Sequence, residues 1–66
     1  MYIKINGKDQ ELSGACTLEE LVVNKNLMRN TIVIEQNGLI IPKKQWGRAA
    51  IGEGDVIEII GFVGGG

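Results

Sequence analysis

The sequence predicts an α+β roll: a mixed sheet of four to five strands with one main helix packed on one face. Three observations carry this. Short segments rich in isoleucine alternate apolar with polar residues, the period of a half-buried strand. Asn6-Gly7 and Asn37-Gly38 fall between such segments, and Asn-Gly is a strong turn signal because it accepts positive φ at both central positions. Only one stretch, around Leu18, Leu21 and Val22, carries apolar residues at the i, i+3, i+4 spacing of a helix.

Taken in order, Tyr2-Ile3-Lys4-Ile5-Asn6 alternates, with Ile3 and Ile5 on one face. Asn6-Gly7 turns the chain, and the return strand over residues 8–12 is polar along most of its length, as suits a sheet edge. Ser13-Gly14-Ala15-Cys16 reads as a loop. Thr17 is the expected N-cap, because Glu20 stands three residues on and completes a capping box. Glu19 and Glu20 lie in the first turn, where the helix dipole favours negative charge, and Lys25 lies near the end. Asn24 or Asn26 is expected to close the helix, with Leu27 and Met28 folding over the core. Residues 31–36 form the next strand, with Ile32 and Ile34 pointing one way. After Asn37-Gly38 a short strand, Leu39-Ile40-Ile41, stops at Pro42, which has no N–H for a ladder. Residues 43–46 suit one helical turn, with Trp46 closing the open end of the core. Gly52-Glu53-Gly54-Asp55 is a turn, and residues 56–62 are the last strand. Ile57 and Ile59 share one face of it; Val56, Glu58, Ile60 and Phe62 share the other.

A right-handed crossover through the helix should set the third long strand beside the first, and the final strand can also lie beside the first, parallel to it. That arrangement is a β-grasp, the ubiquitin-like roll. A ferredoxin-like fold needs a second helix that the sequence does not offer. Residues 1–62 are therefore expected to form a single domain, and residues 63–66 a flexible glycine tail.

Composition limits the function. In 66 residues there is no His and one Cys, so the usual neutral-pH acid/base, an internal disulfide and a cysteine zinc cage are all missing. A self-contained enzyme is not expected. Isoleucine occurs ten times, which favours a folded chain over a solvated tail. Seven basic residues against eight acidic ones leave no basic excess, so no nucleic-acid partner is expected. No apolar run approaches a membrane span and no secretory signal opens the chain. With the lone Cys, this suggests a cytoplasmic location.

The chain ends Val63-Gly64-Gly65-Gly66. Glycines cannot pack a core and lose the most backbone entropy on ordering. Extended, these four residues reach roughly 13 Å. A strand without Cβ atoms fits a channel too narrow for other residues, and can deliver a carboxylate to another protein's active site. The competing reading is an inert, frayed end.

Several segments together carry a family resemblance. They are Val33-Ile34-Glu35-Gln36-Asn37-Gly38, Ile40-Ile41-Pro42-Lys43-Lys44-Gln45-Trp46, Gly54-Asp55-Val56-Ile57-Glu58-Ile59-Ile60 and the terminal Phe62-Val63-Gly64-Gly65-Gly66. In these the chain resembles the ThiS family, ubiquitin-like sulfur carriers of thiamine biosynthesis, over essentially its whole length. Lys43 departs from the arginine common there. The resemblance implies a carrier that is a cosubstrate and binds no cofactor itself. An E1-like adenylating enzyme would use ATP and Mg to activate the carboxylate of Gly66. Sulfur from a cysteine desulfurase route would convert it to a thiocarboxylate, and thiazole synthase would accept that sulfur. Gly64, Gly65 and Val63 would enter the partners' active sites. A carrier for molybdopterin synthesis, a ubiquitin-like protein modifier, and a non-covalent binding module with an inert tail are the alternatives.

Ile60 and Phe62 fall opposite Ile57 and Ile59, so a helix over the Ile57 face leaves them exposed. They are read either as a partner-docking patch or as ordinary scattered surface apolars. Cys16, with no His or second Cys to activate it, reads as a small half-buried loop residue rather than a nucleophile. Trp46 reads as packing rather than a base-stacking platform, and Asp55 and Glu58 read as solvated charges rather than a catalytic pair.

Overall fold

The computed structural model describes residues 1–14 and 16–61. Strands β1 (Tyr2–Ile5) and β2 (Lys8–Glu11) form an antiparallel hairpin in the register Tyr2↔Glu11 to Ile5↔Lys8. Its turn has φ of 50° at Asn6 and 81° at Gly7, the paired positive values a type I′ turn requires. A two-residue strand β3 (Cys16–Thr17) then leads into helix α1 (Leu18–Asn24). After a 3-10 turn at Arg29–Thr31 come β4 (Ile32–Gln36) and β5 (Leu39–Ile40). A second 3-10 turn at Lys43–Gln45 precedes β6 (Ala50–Ile51) and β7 (Val56–Gly61).

Among the described residues five strands make one mixed sheet in the order β2-β1-β7-β4-β5, in which β1–β7 is the one parallel pair of neighbours. The expected parallel neighbour of β1 is therefore present, but β4 does not lie beside β1 as the crossover rule suggested. The crossover through α1 leaves a gap one strand wide, and β7 fills it. Apolar except for Glu58 and Gly61 (Val56-Ile57-Glu58-Ile59-Ile60-Gly61), β7 takes the centre, where both edges of its backbone find partners and one face is covered. The polar β2 takes an edge, as anticipated.

Alternation decides which side chains go inward. Ile3, Ile5, Ile32, Ile34 and Ile57 are buried from the sheet, and Leu18, Leu21 and Val22 are buried from α1. Ile51 and Trp46 complete the same cluster. A fully buried Leu or Ile side chain contributes about 1.5–3 kcal/mol relative to its exposed state, so these contacts dominate the stability of so small a body.

Helix α1 has only seven residues and depends on its ends. Thr17 accepts from the Glu20 amide at 3.2 Å, and Glu20 Oε1 accepts from the Thr17 amide at 2.8 Å, completing the capping box. At the other end Asn24 is the last helical residue and Lys25 the C-cap. Asn26 adopts φ 55° beyond it. The Leu27 amide donates to the Val22 carbonyl and the Asn26 amide to the Val23 carbonyl, each at 3.0 Å, which together make a Schellman closure. Leu27 packs on the core, but Met28 is 72% exposed and does not close over it. The chain turns into the 3-10 segment at Met28, which points the side chain outward.

One further expectation changes. Cys16 is not in a loop: it pairs with Ile51, and Thr17 with Ala50, so β3 and β6 form a small second ladder. This ladder was hidden because two-residue strands carry no periodicity. Trp46 packs in the core, in keeping with the packing reading. It is 0% exposed, its indole N–H donates to the Ile41 carbonyl at 2.9 Å, and the Arg29 guanidinium lies 5.4 Å from its ring centroid.

Candidate functional site

The residues singled out for function cluster on β7 and the segment that follows it. Of these, Ile60 lies within the described region, whereas Phe62, Val63, Gly64, Gly65 and Gly66 lie outside the described residues. Ile60 is 48% exposed and stands opposite Val33 on the sheet face away from α1. Val56 shares that face from the same strand, and Ile40, opposite Glu35, extends it from β5. Glu35 and Glu58 stand directly opposite one another between these apolar positions. The result is an apolar surface with an acidic centre, continuous with the strand that leads toward residues 62–66.

What positions this surface is the way β7 is held. From Ile32↔Gly61 to Gln36↔Ile57, β4 pairs it antiparallel along nearly its whole length. On the other side the Lys4 amide donates to the Asp55 carbonyl and the Asn6 amide to the Ile57 carbonyl, both at 2.9 Å. Beyond the end of β1, the Asn6 side chain takes over. Its Oδ1 accepts from the Ile59 amide at 2.8 Å and its Nδ2 donates to the Ile59 carbonyl at 3.3 Å.

The start of β7 is fixed by a polar hub that the sequence reading placed in solvent. The Asp55 carboxylate accepts from Gln36 Nε2 at 2.9 Å, Asn37 Nδ2 at 3.0 Å and the Gly52 amide at 2.8 Å. Asn37 Oδ1 accepts in turn from the Val56 amide at 2.9 Å. Partial burial pushes the Asp55 carboxyl up, but the hydrogen bonds from Asn37, Gly52 and Gln36 together outweigh it and hold the group below its ordinary value. The signal available in the sequence was Gly52-Glu53-Gly54-Asp55 itself, since Asp side chains often bond amides of their own turn. Glu58 is exposed and not part of this hub, so the two carboxylates form no pair.

Cys16 is half-buried, and its thiol is pushed up, first by burial and then by the neighbouring Glu20 carboxylate. That is the opposite of what a nucleophilic thiol needs. Among the described residues no group of three His, Cys, Asp or Glu side chains could hold a metal ion, and no helix is long and apolar enough to cross a membrane. Arg29 is the other residue that sequence reasoning missed. It reaches Glu19 at 3.0 Å and the Lys43 carbonyl at 3.4 Å, tying α1 to the segment that carries Trp46.

A mixed sheet with a parallel β1–β7 pair and a single covering helix defines a β-grasp protein, the class to which ubiquitin-like rolls belong. Within that class the chain belongs to the ThiS family, whose profile matches residues 3–66. The sulfur carrier protein ThiS of Bacillus subtilis is 34% identical over 65 residues, covering 97% of this chain and 98% of that one. The thiazole synthase of Paramagnetospirillum magneticum is 33% identical over 66 residues, of which the chain spans 20% of the length. A second thiazole synthase, from Magnetococcus marinus, is likewise matched over 20% of its length. A crystal structure of a thiamine biosynthesis protein, ThiS, from Geobacter metallireducens superposes with a TM-score of 0.86 at 25% identity, covering 100% of both chains.

Proposed function

We propose that the chain is a sulfur carrier for thiazole formation in thiamine biosynthesis, acting through the carboxylate of Gly66. The observation that carries this reading is the match along nearly the full length of the Bacillus subtilis carrier, together with a glycine triplet at 64–66 that follows the central strand of the sheet. A carboxylate is a poor electrophile. An E1-like enzyme with ATP and Mg activates it: a Gly66 oxygen attacks the α-phosphate, pyrophosphate leaves and an acyl-adenylate remains. The terminal sulfur of a persulfide, supplied by a cysteine desulfurase route, attacks the carbonyl carbon and AMP leaves; a thiol then cleaves the acyl disulfide, forming a disulfide with the donor and releasing the thiocarboxylate. Thiazole synthase then takes the sulfur. The likeness of this chain to a segment of two proteins named thiazole synthase supports that acceptor.

In this scheme the chain is a cosubstrate, and its body supplies a grip. Ile60, with Phe62 beyond it in sequence, docks on the partner, while Val63, Gly64 and Gly65 thread toward the reacting centre. The absence of Cβ atoms lets the threaded segment pass through a narrow channel.

Incubation with the adenylating enzyme, ATP, Mg and a sulfur donor should add to the intact mass the difference between sulfur and oxygen, located on Gly66. Deleting Gly66 should abolish the shift and leave the circular dichroism spectrum native. An unchanged mass with an active enzyme refutes the carrier reading, and isopeptide conjugates on lysines would indicate a protein modifier instead. Ile60→Glu should weaken adenylation severalfold without altering the fold; normal adenylation of that variant would remove Ile60 from the docking surface.

A further inference from the structure

We propose that Asn6 is a positioning residue: its side-chain amide extends the β1–β7 ladder by one rung and fixes the point from which the C-terminal segment departs. The inference rests on the carrier reading above, because it assigns the clamp a role in presenting Gly66.

The geometry is specific. The parallel register runs Lys4↔Val56 and Ile5↔Ile57, and the Asn6 amide still donates to the Ile57 carbonyl at 2.9 Å. At Asn6-Gly7 the chain reverses, with φ of 50° and 81°, so no β1 backbone follows to meet Ile59. A side-chain amide presents its acceptor oxygen and its amino donor side by side, the complement of the N–H and C=O that one strand residue turns to a neighbour. Asn6 uses both, accepting from the Ile59 amide at 2.8 Å and donating to the Ile59 carbonyl at 3.3 Å. Asn6 thus does two jobs: it makes the turn and it substitutes for the missing strand.

Both backbone groups of Ile59 are therefore engaged by Asn6, while Ile34 of β4 stands opposite Ile59 in the register, as Ile32 stands opposite Gly61. Among the described residues the clamp is the outermost attachment on the β1 side, next to the exposed Ile60 and close before the sequence that ends at Gly66. Losing it lets the last rungs of β7 open. The docking surface must then be ordered again on each encounter, which lowers affinity without altering the chemical step.

Two substitutions separate the clamp from the turn, since Gly and Asp both tolerate positive φ. Asn6→Gly keeps the turn and removes both side-chain bonds. Asn6→Asp keeps the turn and the acceptor for the Ile59 amide. Hydrogen exchange of the Ile59 amide should speed up in Asn6→Gly and stay near wild type in Asn6→Asp. In ATP–pyrophosphate exchange catalysed by the adenylating enzyme, well below the melting temperature, Asn6→Gly should raise the KM for the carrier about five- to tenfold, the factor that about one hydrogen bond corresponds to. Its kcat should stay within about twofold, and Asn6→Asp should restore most of the KM. Unchanged Ile59 exchange, or faster exchange with an unchanged KM, overturns the proposal and leaves the carrier reading standing. No exchange activity with wild-type carrier overturns the carrier reading and this inference with it.

Discussion

Asp55 shows how much one side chain does in a chain this short. It gathers the Gly52 turn, the Asn37 turn and the first residue of β7 into one hydrogen-bonded unit. Because the folded carboxyl is held below its ordinary value, the ionised form favours the folded state. That contribution is complete above the unfolded value and is lost as pH falls through the lower, folded one. Asp55→Asn should therefore lower the urea midpoint at pH 6, and the gap to wild type should narrow progressively below about pH 4. A gap that stayed constant down to pH 2.5 would contradict the assignment. The residue scale was also where sequence reasoning was most uneven. The capping pair Thr17 and Glu20 was legible because both partners lie three positions apart, and Cys16 was legible from what it lacks. Asp55 was not, because two of its partners, Gln36 and Asn37, come from another turn that only folding brings near.

Among the elements, β7 is the one that matters most, and its outer face carries a tension. Glu35 and Glu58 are opposed across β4 and β7, and like charges directly opposite destabilise a sheet. Glu58→Gln should raise stability by about 0.5 kcal/mol, or about 2–4 °C in Tm for a domain of this size. The gain should shrink at about 1 M salt, where the Debye length falls to about 3 Å. A loss of stability, or a gain indifferent to salt, would show that the pair does not repel. Strand identities were readable one by one, since Ile3/Ile5, Ile32/Ile34 and Ile57/Ile59 each announce an inward face. The order of the strands was not. The crossover rule brings β4 back to the same sheet but does not say that β7 will occupy the place between.

The whole molecule rests on one small core, in which Trp46 joins the sheet and helix to the segment after Pro42. A body of this size holds only a few kcal/mol of net stability. Trp46→Ala should cost about 3–5 kcal/mol, enough to leave the chain largely unfolded at room temperature. Retention of a sharp, native-like thermal transition would mean that the surrounding side chains collapse into the space. Trp46→Phe keeps most of the volume but leaves the Ile41 carbonyl without its indole donor, and should fall between the two.

By itself, the sequence determined the local structure: which segments alternate, where Asn-Gly turns them, how α1 is capped, and that three glycines stand at 64–66. These depend on neighbours a few positions away. The tertiary structure alone decided that β7 lies between β1 and β4, that Asp55 is a hub, and that Asn6 reaches Ile59. Each of these joins residues distant along the chain. Such pairings are selected by the burial and hydrogen bonding of the assembled sheet as a whole, and local periodicity carries no record of them.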